Sequence, residues 1–182
     1  EASRKQELEF LDVVSQISSE LELSSLLSRI VSTITTMLDA ERSSLFINDE
    51  KTSELYTEVG EGLGKNVIRF PNHLGIAGTV FTSGEILNIP HCYADLRFNP
   101  AFDKQTGYFT RSMLCAPVTN KDGKIIGVSQ VLNKRGGSFS SEDEARLVAF
   151  TSQISIGIEN AALFDNVQNL MNYNMSMLSS MS

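Results

Sequence analysis

The apolar residues of this chain keep helical spacing at its two ends and strand-like spacing between them, so one fold has to satisfy both periodicities. Phe10, Val14, Ile17 and Leu21 recur at alternating intervals of four and three, and Leu26, Leu27, Ile30, Val31, Ile34 and Leu38 form a second stripe of that kind. Ser24 has N-cap chemistry between them, so the segment reads as two helices or as one long bent helix. The middle is different. Short β-like runs at Ser43 to Ile47, Glu54 to Val59 and Val67 to Phe70 are separated by Asn48-Asp49 and by a loop carrying Gly60, Gly62 and Gly64, which reads as an antiparallel meander. Leu74 to Ser83 is a short helix stopped by Gly84, and Ile86 to Ile89 is a strand closed by Pro90. Arg111 to Thr119 and Lys124 to Asn133, joined by Asn120-Lys121-Asp122-Gly123, form the clearest hairpin.

A last helix is expected from Ser140-Ser141 nearly to the end, with Ser141 and Glu144 at capping-box spacing. Leu147, Phe150, Ile154, Ile158 and Ala161 suit packing on a sheet. Beyond them Leu163, Val167, Leu170, Asn174, Met177 and Met181 follow a heptad, with Asn at an a position, which favours a parallel two-stranded coiled coil; a frayed amphipathic tail is the plainer alternative. The order of elements predicts an α+β fold, with one antiparallel sheet and its helices gathered on one face.

Composition narrows the class of partner. With 182 residues, 41% of them hydrophobic and 20% charged, the chain falls in the range of one soluble globular domain. A net charge of −7 and the lack of any Lys/Arg-dense stretch argue against a nucleic-acid partner. Uninterrupted apolar runs are only a few residues long, and Glu1-Ala2-Ser3-Arg4-Lys5 has no signal-peptide character, so neither a membrane span nor export is expected, and a cytoplasmic location is. Cys92 and Cys115 match no metal or redox spacing and read as small buried or half-buried residues.

No nucleophile, base and metal set converges in the sequence, and no hydrolase, zinc-protease or Walker motif occurs. Neither cofactor nor catalysis is expected. His73 and His91 are the only histidines. His91-Cys92 could be a reactive pair or a tetrapyrrole attachment point, although neighbours in an extended segment face opposite ways and a surface loop is the simpler reading. Gly60 to Gly64 lies between strand-like runs, so it reads as turn glycine and not as a phosphate loop. Asn72 to Ala77 is a better anion site, because Gly75-Ile76-Ala77 opens a helix and leaves free N–H groups; ordinary helix–sheet packing explains it equally. From Pro90 to Arg111 some twenty residues lack periodicity. Asp95, Asn99, Asp103, Gln105, Thr106 and Thr110 alternate there with Phe98, Phe102, Tyr108 and Phe109, either as a lid over a small, partly aromatic ligand or as a surface loop pinned by aromatics.

Asn133-Lys134, Phe139 and Asp143-Glu144, together with Gly75-Ile76-Ala77-Gly78, Ile89-Pro90, Thr106-Gly107 to Thr110-Arg111 and Leu114-Cys115-Ala116-Pro117-Val118, resemble the dispersed signature of cyclic-nucleotide-binding GAF domains in phosphodiesterases and cyanobacterial adenylyl cyclases. The resemblance implies a domain over residues 23–165, a connecting or dimerisation helix at 1–22 and a connecting helix at 166–182. It implies a GAF fold of about six antiparallel strands, with terminal helices on one face and a lidded pocket on the other. The Lys134–Asp143 pair would brace that fold. Arg42 and Ser44 would face the purine, Ile76 and Ala77 the cyclic phosphate, and Asn99, Asp103, Thr106 and Thr110 would close over the ligand. Gln130 would line the floor. Gly60-Glu61 falls where a mammalian phosphodiesterase member has an aromatic–acidic pair near the base, a departure that keeps the acid, Glu61, and lacks the stacking ring. The segment from Asn172 looks like the connector that leaves the second GAF domain of such a cyclase. The implied molecule is a non-catalytic cyclic AMP sensor, a homodimer through its terminal helices, beside GAF, PAS and cyclase domains. Cyclic GMP or another small ligand, or a ligand-free dimerisation spacer, is the alternative.

Overall fold

The computed structural model describes residues 2–64 and 66–181. Ala2–Met37 is one helix, α1, with Ser24 in its interior and not at a cap. The reason is local: no Gly or Pro interrupts those residues, so nothing breaks the backbone ladder. The side chains of Val14 and Ile17 lie outside the described residues. Asp39, with φ of 50°, turns the chain out of the helix.

Among the described residues six strands form one antiparallel sheet in the order β3-β2-β1-β6-β5-β4. They are β1 (Ala40–Asp49), β2 (Glu54–Gly60), β3 (Arg69–Pro71), β4 (Leu87–Ile89), β5 (Met113–Thr119) and β6 (Ile125–Lys134). Three helices complete the elements: α2 (Gly75–Ser83), α3 (Ala101–Thr106) and α4 (Ser141–Met181). Gly84, at φ of 75°, ends α2 and donates its N–H to the Val80 carbonyl, the left-handed stop that the sequence predicts. The twenty-residue stretch holds more structure than its periodicity suggests. A 3-10 turn covers Cys92–Ala94 and α3 follows, its first amide accepted by Asn99 Oδ1 at 3.0 Å and its end marked by Gly107.

Register assigns the two sheet faces. Arg42 pairs with Leu132, Ser44 with Gln130 and Phe46 with Val128, while Leu132 also pairs with Met113. These residues share one face, because side chains alternate along a strand. There α2 lays Ile76, Ala77 and Val80 into a core with Phe46, Leu55, Met113, Cys115 and Val128. Fully burying one such side chain contributes about 1.5–3 kcal/mol. The opposite face buries Ser43, Leu45, Leu114, Ala116, Ser129 and Val131, together with Ile34 of α1 and Leu147 and Ile154 of α4.

Helix α4 starts one residue earlier in capping terms than the Ser141/Glu144 spacing predicts. Ser140 Oγ accepts the Asp143 N–H at 3.1 Å, and Asp143 Oδ2 accepts the Ser140 N–H at 2.9 Å. The capping box is therefore Ser140/Asp143, with the shorter acid closing it.

The chain divides into two compact units, Ser28–Ser155 and Glu1–Leu27 with Ile156–Ser182. In the second unit α1 and α4 approach closely at Gly157, where an added Cβ would meet Leu26 Cδ2 at 2.9 Å. The heptad residues Leu163, Val167, Leu170, Met177 and Met181 are between 45% and 80% exposed. By length and composition α4 is apolar enough to cross a membrane, which the short-run reading of the sequence passed over.

Candidate ligand-binding site

A cavity of about 340 Å³ lies inside the Ser28–Ser155 unit, between the sheet face of α2 and the segment around α3. That volume is within the range of small-molecule sites. Its floor is Ser44 and Gln130 on the two central strands, with Phe46, Met113 and Leu132 making it apolar. Ile76 and Ala77 border it from the first turn of α2, and Asn99, Asp103, Thr106 and Thr110 from the segment above. Arg42 and Glu61 close one side. The structure thus brings all ten sequence-selected residues to one cavity, and it gives several of them more specific roles.

The start of α2 is open. Leu74, at the N-cap, makes no side-chain cap, and Gly75 turns into the helix at φ of 72°, a conformation glycine adopts without strain. Among the described residues the amides of Gly75, Ile76 and Ala77 meet no acceptor, whereas Gly78 N–H reaches the Leu74 carbonyl at 3.1 Å. Free N–H groups and the positive end of the helix dipole both favour an anion there.

Asp103 and Thr110 are committed to one another. Asp103 Oδ2 accepts the Thr110 N–H and the Tyr93 hydroxyl, each at 2.8 Å, and Oδ1 accepts the Thr110 hydroxyl at 2.8 Å. Asp103 is buried, so these three donors balance its desolvation. In this conformation these bonds latch α3 to the entry of β5, with both residues also lining the cavity. Aromatic contacts reinforce the latch: Tyr93 stacks on Phe109 at 4.9 Å, and Phe102 of α3 meets Phe70 of β3 edge to face at 6.5 Å. Thr106 donates its hydroxyl back to the Phe102 carbonyl at 2.8 Å, and Asn99 Oδ1 accepts the Ala101 N–H at 3.0 Å just ahead of the Pro100 N-cap of α3.

Charge in the cavity wall is uneven. Arg69 is paired with Asp49 at 3.2 Å and with Glu54 at 3.5 Å. Glu61 Oε1 accepts the Ser43 N–H at 2.8 Å and the Thr35 hydroxyl, which draws the carboxylate toward α1. Arg42 is the exception. Among the described residues its guanidinium has no hydrogen bond or ion pair; it stands 4.0 Å from the Tyr108 ring centroid, and an added Cβ at Gly62 would come within 2.5 Å of its Cζ. The glycine that reads as a plain turn residue is thus the surface on which this cation lies.

Behind the cavity, Asn133 holds a left-handed backbone (φ 59°) and uses its whole amide. Its Oδ1 accepts the N–H groups of Arg111 at 2.6 Å and Ser112 at 3.1 Å, and its Nδ2 donates to the Phe109 carbonyl at 2.8 Å. Glycine would supply the backbone but none of these bonds. Lys134 Nζ bonds the Leu38 carbonyl at 2.7 Å and Asp143 at 3.0 Å, so one ammonium joins the end of α1 to the start of α4. Phe139 is buried and its carbonyl accepts from Asn88 at 2.8 Å, while Glu144 makes no ion pair among the described residues.

The cysteines take no part. Both are buried, as the sequence reading of small buried or half-buried cysteines expects, and Cys92 turns inward beside the exposed His91. Burial, with Asp103 and Asp95 nearby, pushes the Cys92 thiol up to about 12, and burial also raises Cys115. Thiols held protonated in this way are poor nucleophiles.

One six-stranded antiparallel sheet, with residues of the terminal helices buried on one face and α2 and a roofed polar-and-apolar cavity on the other, defines the architecture of this chain. The chain belongs to the GAF domain family, whose model matches residues 22–158. It is 40% identical over 168 residues to dual 3',5'-cyclic-AMP and -GMP phosphodiesterase 11A of Takifugu rubripes, covering 85% of this chain and 19% of that protein. It is 34% identical over 171 residues to a probable 3',5'-cyclic phosphodiesterase of Caenorhabditis elegans, covering 87% of this chain and 23% of that protein. The chain therefore spans less than a quarter of the length of either relative. Among solved structures it superposes on the GAF domain of a phosphoenolpyruvate-protein phosphotransferase from Coxiella burnetii with a TM-score of 0.69 at 21% identity, covering 84% of this chain and 95% of that one. It also superposes on free methionine-R-sulfoxide reductase from Neisseria meningitidis with a TM-score of 0.67 at 17% identity, covering 86% and 88%. One fold thus serves a GAF domain of a phosphotransferase and a reductase, and the fold alone does not fix the function.

Proposed function

We propose that this chain is a regulatory, non-catalytic cyclic-nucleotide sensor, with cyclic AMP as its ligand. The observation that carries the reading is the chemistry of the cavity: an unneutralised Arg42 on one side and three unpaired amides at the start of α2 on another, over an apolar floor with Ser44 and Gln130. These groups can hold an anion and orient a flat heterocycle, and none of them can attack it. In this reading the α2 amides at Ile76 and Ala77 take the cyclic phosphate, Arg42, Ser44 and Glu61 address the purine, and Asn99 and Thr106 form the lid that Asp103 and Thr110 latch. The similarity to cyclic-nucleotide phosphodiesterases supports this ligand class.

Ligand alters output only by binding one state of the domain more tightly than another. We place that difference at the junction where Lys134 ties the end of α1 to Asp143, from which the terminal helices, paired with a second copy through the heptad seam, carry it to adjoining GAF, PAS and cyclase domains of a cytoplasmic parent. An adenylyl cyclase output rests on the resemblance of the segment from Asn172 onward. The reported curated relatives are phosphodiesterases, so the nature of the output is a separate question from the ligand. Calorimetric titration with cyclic AMP and with cyclic GMP tests the sensor: a saturable heat with cyclic AMP, weaker with cyclic GMP, is expected, and no heat with either removes the reading.

A further inference from the structure

Arg42 poses a physical question that its place in the cavity does not answer. A long cationic side chain with no counter-charge should wander, and ordering it costs up to about 2 kcal/mol of rotamer entropy. The nearest carboxylate in sequence, Glu41, could have neutralised it. Instead Glu41 Oε2 accepts from Arg111 at 2.7 Å, and Glu41 Oε1 accepts from the Tyr108 hydroxyl at 2.9 Å and from Asn133 Nδ2 at 3.3 Å. Burial raises the Glu41 carboxyl, but its hydrogen bonds from Arg111, Tyr108 and Asn133 outweigh that and leave it below the ordinary carboxylate range.

We propose that Tyr108 is a positioning residue for ligand binding: its ring face carries the Arg42 guanidinium in the cavity wall, and its hydroxyl, clamped between Glu41 and Asn133, fixes where that ring stands. This rests on the sensor reading. Asn133 Nδ2 donates to the Tyr108 oxygen at 3.0 Å while the same hydroxyl donates to Glu41, so the phenol is held as donor and as acceptor at once. The ring in turn lies 4.0 Å from Arg42 Cζ, well inside cation–π range. Gly62 also lies against the guanidinium, where an added Cβ would come within 2.5 Å of Cζ. Ring and glycine together confine the guanidinium in the cavity wall. The cation is therefore ordered before ligand arrives, which reduces the entropy lost on binding. Asn133, whose neighbour Lys134 braces α1 and α4, is the same residue that clamps the phenol, so the geometry of the cavity cation and of the helix junction are set from adjacent positions.

The test is a double-variant cycle read by calorimetry with cyclic AMP and cyclic GMP. Tyr108→Leu removes the platform and should weaken binding of whichever nucleotide the protein takes about tenfold. Tyr108→Phe keeps the ring but loses the clamp, and should weaken it about two- to fivefold. In an Arg42→Gln background Tyr108→Leu should cost nothing further. Equal losses from Tyr108→Leu with and without Arg42 would mean a merely structural tyrosine and overturn the proposal. If the wild-type protein binds neither nucleotide, the sensor reading fails, and Tyr108 is then judged in the ligand-free protein by NMR. The Arg42 Nε–H resonance should be displaced by the ring current in the wild type and in Tyr108→Phe, and should relax to an ordinary position in Tyr108→Leu. An undisplaced resonance in the wild type overturns the proposal.

Discussion

Lys134 and Asp143 meet at 3.0 Å, with the Asp143 side chain only 2% exposed, and the same ammonium bonds the Leu38 carbonyl at 2.7 Å. Removing Lys134 leaves a buried carboxylate without its cation, and removing Asp143 leaves a partly exposed ammonium without its ion pair. Asp143→Ala should cost about 3 kcal/mol at neutral pH, measured by urea unfolding. Burial raises the Asp143 carboxyl, but the Ser140 N–H and Lys134 more than offset this and hold it below its ordinary value of 3.8. Stability from this group is complete above that value and is lost as pH falls through the depressed native one. The unfolding midpoint should therefore drop more between pH 7 and pH 3 in the wild type than in Asp143→Asn, and equal drops would contradict the assignment.

Asp103 is expected to govern the lid. Asp103→Ala leaves the buried Thr110 N–H without its acceptor, a local cost of about 1–3 kcal/mol. Amide exchange at Thr110 and through α3 should speed up while the central strands keep their protection. Unchanged exchange would show that the aromatic stacking of Tyr93 and Phe109 suffices to hold the segment.

Gly78→Ala makes two physical effects compete. Alanine is favoured over glycine in a helix by about 1 kcal/mol. The new Cβ, however, would stand 2.6 Å from the His73 carbonyl carbon and 3.2 Å from the Asn72 oxygen, both backbone atoms that cannot move alone. Overpacking of this sort costs about 1–3 kcal/mol, so net destabilisation and a weaker ligand affinity are expected as α2 shifts. A variant more stable than the wild type on thermal unfolding would refute this.

The heptad seam gives a hydrodynamic prediction. Leu170 is 60% exposed on α4. If a second copy covers it, the protein sediments as a dimer and Leu170→Glu converts it to a monomer whose Ser28–Ser155 unit stays folded by circular dichroism. A wild-type monomer at all concentrations removes the dimer.

Alternation and turn chemistry made the sheet legible, because Asn-Lys-Asp-Gly, Pro71, Gly84 and Pro90 each end an element for a reason local to the residue. Site residues were legible as a set through dispersed motifs. What they touch was not, since a hydrogen bond such as Asp103 to Thr110 or Tyr108 to Glu41 depends on which elements fold together. Helix α3 was missed although its signals are ordinary: Asn99-Pro100 at its start and Gly107 at its end bracket six residues, too few to show a periodicity. The capping box was misplaced by one because adjacent serines, Ser140 and Ser141, offer equivalent chemistry and only the position of Asp143 over Lys134 selects between them.

Strand β6 presents Gln130 and Leu132 to the cavity and Ser129 and Val131 to the helices, from alternate positions of one backbone. A deletion or insertion of a single residue there would exchange the two sets, turning the Gln130 amide into the interior under the helices and the Ser129 hydroxyl into the cavity. Between Val128 and Leu132 a point replacement on β6 therefore acts on one face at a time, Gln130 and Leu132 shaping the cavity and Ser129 and Val131 the packing beneath the helices.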